Sequence, residues 1–164
     1  QIAIVPQDTV LFNTSIRENI RYGRPDASET DIDNAIRMAH LEKFIASLPD
    51  ADQTLVGERG LKVSGGEKQR LAIARLLLKN PAVMILDEAE RLNLESANAL
   101  LKILEEPAEK SVLFILTTDD RELLPTIPFL PELPISKRTY TIPNRFHSFF
   151  PKRYYPKRNW VFLQ

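Results

Sequence analysis

Three short groups of residues have types and spacing suited to handling phosphate: Gln7, the run Ser64-Gly65-Gly66-Glu67-Lys68-Gln69-Arg70, and Asp87-Glu88. A Ser-Gly-Gly turn that opens a helix exposes backbone N–H groups and the positive end of the helix dipole, which attracts phosphate. An Asp ending a dry strand can hold Mg²⁺ through water, and an adjacent Glu can polarise an attacking water. A Gln on a loop can report on the metal and the γ-phosphate. Singly, each has a plainer reading: a capped helix, a solvated strand end, a glutamine without a role. One expected partner is missing. The pattern Gly-x-x-x-x-Gly-Lys-Ser/Thr does not occur, since the glycines are 23, 57, 60, 65 and 66 and none is followed by Lys. Nothing in these residues then cradles the β- and γ-phosphates or presents the lysine and the Mg²⁺ hydroxyl.

The elements that must position these groups can be read from periodicity. Gln1–Val5 is a short apolar run closed by Pro6, a buried strand. From Ser28 onward Ile32, Ala35, Ile36 and Ala39 share a helical face, with Asp26 and Ser28 as candidate caps. A second helix is expected over His40–Ser47, with His40 as a surface or packing histidine, and Thr54–Val63 as a loop. Ser64 and Glu67 fit a capping box opening a helix that runs to Lys79, stopped by Asn80-Pro81. Val83–Leu86 is an apolar strand ending on Asp87-Glu88. Leu94, Ala97, Leu100, Leu101 and Leu104 form a helical stripe capped by Asn93 and ended before Pro107. Val112–Leu116 is a further buried strand running into Thr117 and Thr118. Strand, helix, strand with polar ends is a βαβ unit whose site lies at the carboxyl edge.

Composition bounds what else the chain could do. It has 164 residues, 22 Lys+Arg against 22 Asp+Glu, two His and no Cys. That excludes a disulfide scaffold and a cysteine nucleophile, and it argues against zinc. No apolar run is long enough to span a bilayer. The chain starts inside a strand, without a basic leader or initiator Met, and reads as a soluble, cytoplasmic-type fragment. The neutral total hides an asymmetry: residues 128–164 carry seven Lys/Arg and one acid, Glu132, with six of the 12 prolines and nine of the 13 aromatics. A boundary falls at about Ile127.

Residues 1–89 resemble the nucleotide-binding domain of ABC exporters, mitochondrial-type half-transporters in particular. The likeness is carried by Ile4-Val5-Pro6-Gln7-Asp8, Leu11–Ile16, Glu18-Asn19-Ile20, Gly57-Glu58-Arg59-Gly60, Ser64–Arg70 and Ile85-Leu86-Asp87-Glu88-Ala89. It implies Gln7 as the Q-loop, with a share in the metal site, and Gly57–Gly60 as a loop facing the coupling helices. It implies Ser64, Gly65, Gly66 and Glu67 as the signature motif, contacting ATP held by an opposite domain. Asp87 would be the Walker B acid on Mg²⁺ and Glu88 the catalytic base. The implied partners are a second nucleotide-binding domain and a transmembrane domain.

Beyond Ala89 the D-loop and switch histidine of that family do not follow. Residues 84–127 instead look like a bacterial DNA polymerase III clamp-loader subunit of the delta-prime or gamma/tau type. This rests on Ser96–Pro107, Phe114-Ile115-Leu116-Thr117-Thr118 and Leu123–Ile127. That resemblance makes Thr117 or Thr118 a sensor residue, whereas the expected Arg-Ser-Arg after Ile127 is replaced by Pro128-Phe129-Leu130. The two likenesses overlap on Met84–Ala89, where both are P-loop ATPases. Thr118 stands near the place of the switch histidine but cannot supply its charged γ-phosphate contact.

The expected fold is α/β, an incomplete P-loop NTPase three-layer core without the Walker A strand and loop, and with an open sheet edge. Three functions stand side by side: an ABC transporter ATPase fragment inactive alone, a clamp-loader fragment acting in DNA replication, and a chimeric reading frame without function. The tail could bind nucleic acid through interleaved cations and aromatics. The favoured reading is an unstructured or frame-shifted extension, poorly ordered or loosely draped.

Overall fold

The computed structural model describes residues 2–5, 9–87, 89–105, 112–117, 136–137 and 159–163. Its centre is three parallel strands, β1 (Ile2–Val5), β2 (Val83–Leu86) and β3 (Val112–Thr117). Val5 lies beside Leu86 and Leu86 beside Ile115, so all three strands leave the sheet at one edge. Met84, Ile85 and Leu86 are buried, as an apolar run covered on both faces must be. The connection from β2 to β3 passes through α5 (Leu94–Glu105). The strand–helix–strand unit read from the sequence therefore forms within one sheet.

The helical part is built from caps and one apolar helix. α1 (Ile16–Arg21) is capped by Ser15, whose Oγ accepts the Glu18 N–H at 3.2 Å. In α2 (Glu29–Met38) Ser28 and Asp31 form a capping box, and Ile32, Ala35 and Ile36 turn inward. After the short α3 (Glu42–Ala46) comes α4 (Gly65–Lys79), opened by the Ser64–Glu67 box and ended by Asn80 at φ +42°. Leu71, Ile73, Ala74, Leu76 and Leu78 of α4 are buried, and one continuous core joins them to Ile16, Ile20 and Ile32 on one side and to Met84, Leu86 and Leu100 on the other. α4 is thus the post on which both halves hang.

The structure departs from three sequence expectations. His40 does not start a helix: it is exposed, at φ +53°, with its N–H on the Arg37 carbonyl (3.1 Å) and the Leu41 N–H on the Ile36 carbonyl (3.1 Å). That is a Schellman turn ending α2, with His in the place glycine usually takes. β1, expected as a buried strand, is the edge strand of the sheet, with Ile2 and Ile4 exposed and Val5 buried, so the expected open edge lies there. Beyond β3 the sheet continues, because β5 (Asn159–Leu163) pairs with it antiparallel, Phe114 beside Phe162 and Leu116 beside Trp160. The tail is also not devoid of strand, since β4 (Ser136–Lys137) pairs in turn with β5. Asn-Trp-Val-Phe-Leu is a local strand signal that the proline-rich surroundings mask. The remainder of the tail, and with it the frame-slip reading near residue 128, lies outside the described residues. Among the described residues no helix is long and apolar enough to cross a membrane.

An ionic cluster ties α1 to α2. Arg17 reaches Glu29 (2.7 Å), Asp33 (2.8 Å) and Asp52, while Arg21 reaches Glu29 (2.6 Å) and Glu18 (3.0 Å). Burial alone would lower the pKa of Arg17, but its bonds to Asp52, Glu29 and Asp33 together hold it above the arginine range. The bonds that Glu29 accepts from Arg21 and Arg17 hold its carboxyl below the ordinary value of 4.5. A depressed folded-state pKa adds stability above the unfolded value, and that stability goes as pH falls through the folded one. The urea midpoint should therefore drop as pH falls below about 4.5. An Arg17→Gln, Arg21→Gln double variant should show a flatter pH dependence, readable by urea titration from pH 6 to pH 3.

Candidate functional site

The carboxyl edge of the parallel strands gathers part of the implied site. Asp87 follows β2 directly, is buried at 7% exposure, and donates its N–H to the Val5 carbonyl at 3.1 Å. Its backbone is thereby fixed to the end of β1, two residues before Gln7. Thr117 closes β3 at the same edge, its backbone paired with Asn159. Gln7, Glu88 and Thr118 lie outside the described residues. Of the site read from sequence, then, Asp87, Thr117 and Ser64–Glu67 have described positions.

The Ser-Gly-Gly turn is placed by α4 and by the segment after β2. Ser64 N–H and Oγ both donate to Glu67 Oε2 (2.8 and 2.6 Å), and Ser64 Oγ accepts the Glu67 N–H (3.4 Å). The Ser64 hydroxyl is thus engaged, and a phosphate would have to compete with Glu67 for it. Helix geometry leaves the first N–H groups without intrahelical acceptors, so those of Gly65 and Gly66 point outward at the positive end of α4. Three contacts hold this end against residues 91–95. Asn93 packs on Gly66, Gln69 Nε2 donates to the Arg91 carbonyl (3.2 Å), and Arg70 pairs with Glu95.

The two glycines differ in what a side chain would meet. A Cβ on Gly65 finds nothing within 4 Å, whereas one on Gly66 would lie 2.1 Å from Asn93 Nδ2. Asn93 is itself committed, its Oδ1 accepting the Ser96 N–H at 2.8 Å to cap α5. Gly66→Ala should therefore displace Asn93 and cost about 1 kcal/mol, the worth of a cap. In an Asn93→Ala background that cost should shrink, as a double-mutant cycle by urea unfolding would read. Gly65→Ala should be neutral or stabilise by about 0.5 kcal/mol, since alanine suits a helix better.

Two residues of structural weight escaped the sequence reading. Asn19 is fully buried: its Oδ1 accepts the Phe12 N–H (2.9 Å), and its Nδ2 donates to the carbonyls of Phe12 (3.1 Å) and Ser15 (2.9 Å). Arg75 of α4 donates Nε to the Asn19 carbonyl (2.7 Å), Nη1 to the Val10 carbonyl (2.9 Å) and Nη2 to Asn19 Oδ1 (2.5 Å). Its guanidinium also lies 5.3 Å from the Phe12 ring centre. Burial lowers the pKa of Arg75 from the usual arginine value. The available signal was a single cation inside the otherwise apolar Leu71–Leu78 run. The loop Gly57–Gly60 adjoins this region: Gly57 sits at φ +99° against Asn13, whose Oδ1 accepts the Arg59 N–H at 3.0 Å.

The donor set at the strand edge suits a hard cation that arrives with its phosphates. Among the described residues no group of three or more His, Asp or Glu could cage a metal ion. Asp87 is one buried carboxylate at the end of a strand, and Mg²⁺ bound with a nucleotide needs only one or two carboxylates plus waters and phosphate oxygens.

Comparison with known proteins places the chain. Residues 1–91 match the family model described as ABC transporter, and residues 71–128 match that of DNA polymerase III, delta subunit. The chain is 53% identical over 110 residues to an uncharacterized ABC transporter ATP-binding protein, YwjA, of Bacillus subtilis, covering 66% of this chain and 19% of that protein. To the mitochondrial iron-sulfur clusters transporter ATM1 of Candida albicans it is 57% identical over 102 residues, 62% of this chain and 14% of that one. The solved structure of a bacterial Atm1-family ABC exporter with ATP bound superimposes with a TM-score of 0.59 at 40% identity, covering 70% of this chain and 23% of the exporter. The chain thus spans less than a quarter of these relatives. With more than half its length matching the transporter model, the chain belongs to the ABC transporter family, on the side of the Atm1-type exporter ATP-binding domains.

Proposed function

We propose that residues 1–89 are the Q-loop-to-Walker B part of an exporter ATP-binding domain, whose full form binds and hydrolyses ATP to drive transport across a membrane. The observation that carries this is the exposed amino end of α4, with open space over Gly65 beside the 91–95 segment. In this reading Ser64, Gly65, Gly66 and Glu67 contact ATP held by a second ATP-binding domain, as backbone donors aimed at phosphate oxygens. Asp87 and Gln7 hold Mg²⁺ through water, and Glu88 takes the proton of the attacking water. Mg²⁺ bound there supplies neutralisation of phosphate charge. Partners are that second domain and a membrane-spanning domain, with nucleic acid reached only by the basic tail.

The reading is tested by pairing the chain with a complete Atm1-type ATP-binding domain whose own signature serine and glycines have been replaced. Hydrolysis by the mixture, lost with Ser64→Arg in this chain, supports it. A mixture as inactive as the mutated domain alone overturns it.

The match to the DNA polymerase III model over residues 71–128 favours a second reading for the remainder. We infer that the chain joins a transporter-like segment to a clamp-loader-like one across Met84–Ala89, with Thr117 and Thr118 in the sensor place and no phosphate loop within these 164 residues. The contacts of Gly66 with Asn93 and Arg70 with Glu95 support a join that packs as one core. Sequencing the DNA through codons 80–135 and its flanks tests this. Uninterrupted transporter coding in the native gene would count against a chimera.

A further inference from the structure

A cleft of about 390 Å³ opens between β1, the end of α1 and α4. One wall is apolar: Val10 and Tyr22 stand 72% and 65% exposed, with Ile4, Phe12 and Leu76 alongside. The Phe12 and Tyr22 rings pack at 4.5 Å between centres and give that wall a stiff aromatic face. The other wall carries Arg75 and Lys79, one turn apart on α4. Their donors are only partly spent. Arg75 uses three of its N–H groups on neutral oxygens of Val10 and Asn19, which leaves one hydrogen on each Nη. Lys79 Nζ gives one of its three to the Ile2 carbonyl at 3.2 Å. Thr9 borders the same recess, 8% exposed, with an Oγ1 that is buried and meets no hydrogen-bond partner. Among the described residues no acidic side chain lines the cleft, and neither cation is in an ion pair.

Water ordinarily compensates such charges, but Arg75 is partly withdrawn from it, and burial lowers its pKa with no carboxylate to offset the loss. An anion that enters here gains charge-assisted contacts and covers exposed apolar surface in one step. A free phosphate gains only the first, and a neutral aromatic only the second. We propose that the cleft is a binding site for a small aromatic carboxylate, held by the free hydrogens of Arg75 and Lys79 with its ring against Phe12, Tyr22 and Val10. The volume lies at the small end of ligand pockets, which run from about 300 to 1,000 Å³. Ser64–Glu67 open α4 at its other end, so this ligand is distinct from the nucleotide of the transporter reading. Because Arg75 also grips Val10 and Asn19, an occupied cleft tightens the joint between α1 and α4.

The test uses the 164-residue chain with naphthalene-2-acetate, its neutral amide, and inorganic phosphate. Binding is followed by NMR shifts of the Phe12 and Tyr22 rings and the Arg75 Nε–H. The carboxylate should bind about tenfold more tightly than the amide, a preference that falls with salt. Lys79→Gln, which leaves the Arg75 bonds in place, should cut that preference by about threefold. Val10→Asp, at an exposed position, sets an acid into the cleft and should abolish it. Equal binding of carboxylate and amide overturns the charged contact and the proposal with it. So does phosphate binding as tightly as the carboxylate, or an absence of saturable shifts at these residues by about 10 mM. Hydrolysis by the reconstituted mixture described above is a separate readout: its failure strikes the transporter reading and leaves this site standing.

Discussion

Purified alone, the 164-residue chain is expected to leave ATP unhydrolysed, at the rate of a buffer control. Asp87 is anchored to Val5 at the strand edge and a helix amino end is exposed at Gly65, but no Gly-x-x-x-x-Gly-Lys-Ser/Thr loop lies within these residues. A general base works only on a water already placed in line with a held phosphorus. Supplying a strand, phosphate loop and helix from an Atm1-type exporter ahead of Gln1, together with Thr118→His, should restore turnover. In that fusion Glu88→Gln should then lower the rate by about 10²–10⁴, the usual worth of a positioned acid or base. Steady-state phosphate release by the unfused chain, abolished by Glu88→Gln, would overturn the expectation.

The second large effect should come from Gly23→Ala. A Cβ on Gly23 would lie 2.4 Å from the Arg75 carbonyl oxygen and 3.1 Å from its carbon, both backbone atoms that cannot rotate aside. The end of α1 must then back away from α4 at the joint where Arg75 grips Asn19 and Val10. Over-packing of this kind costs about 1–3 kcal/mol, a large part of the roughly 5–15 kcal/mol that holds a domain folded. Urea unfolding should show the midpoint falling with little change in slope. Exposure of Tyr22 and Phe12 should change in the same variant, because both ring positions depend on that joint.

How much of this was legible depended on whether the signal was local. Ser28, Ser64 and Asn93 were readable as caps because each sits at a fixed offset from the N–H it serves, and all three act as such. Parallel pairing of Val83–Leu86 with Val112–Thr117 followed from two apolar runs joined by one helix. α1 was missed because six residues give no full period to read, and its stability comes from burial of Ile16 and Ile20. The positive φ of His40 was invisible because nothing in its type demands it. β5 was missed because a strand on the far edge of β3 is specified by pairing across more than forty residues. At the site, residue types and order pointed to Asp87 and Ser64–Glu67. The Arg75–Asn19 joint could not be read, since guanidinium-to-carbonyl bonds leave no pattern along the chain.

The register of the sheet also sets a schedule for the growing chain. Ile2 pairs with Val83 and Val5 with Leu86, so β1 leaves the ribosome some eighty residues ahead of the strand it must join. At about 5–20 residues per second, that is a wait of roughly 4 to 16 seconds. During that time Ile2, Ile4 and Val5 have no sheet, while α1 and α2 can already close on local caps. Even in the finished fold Ile2 and Ile4 stay near half exposed. A chaperone that holds short apolar segments would therefore have Ile2–Val5 to hold, and would release them only when Val83–Leu86 emerges.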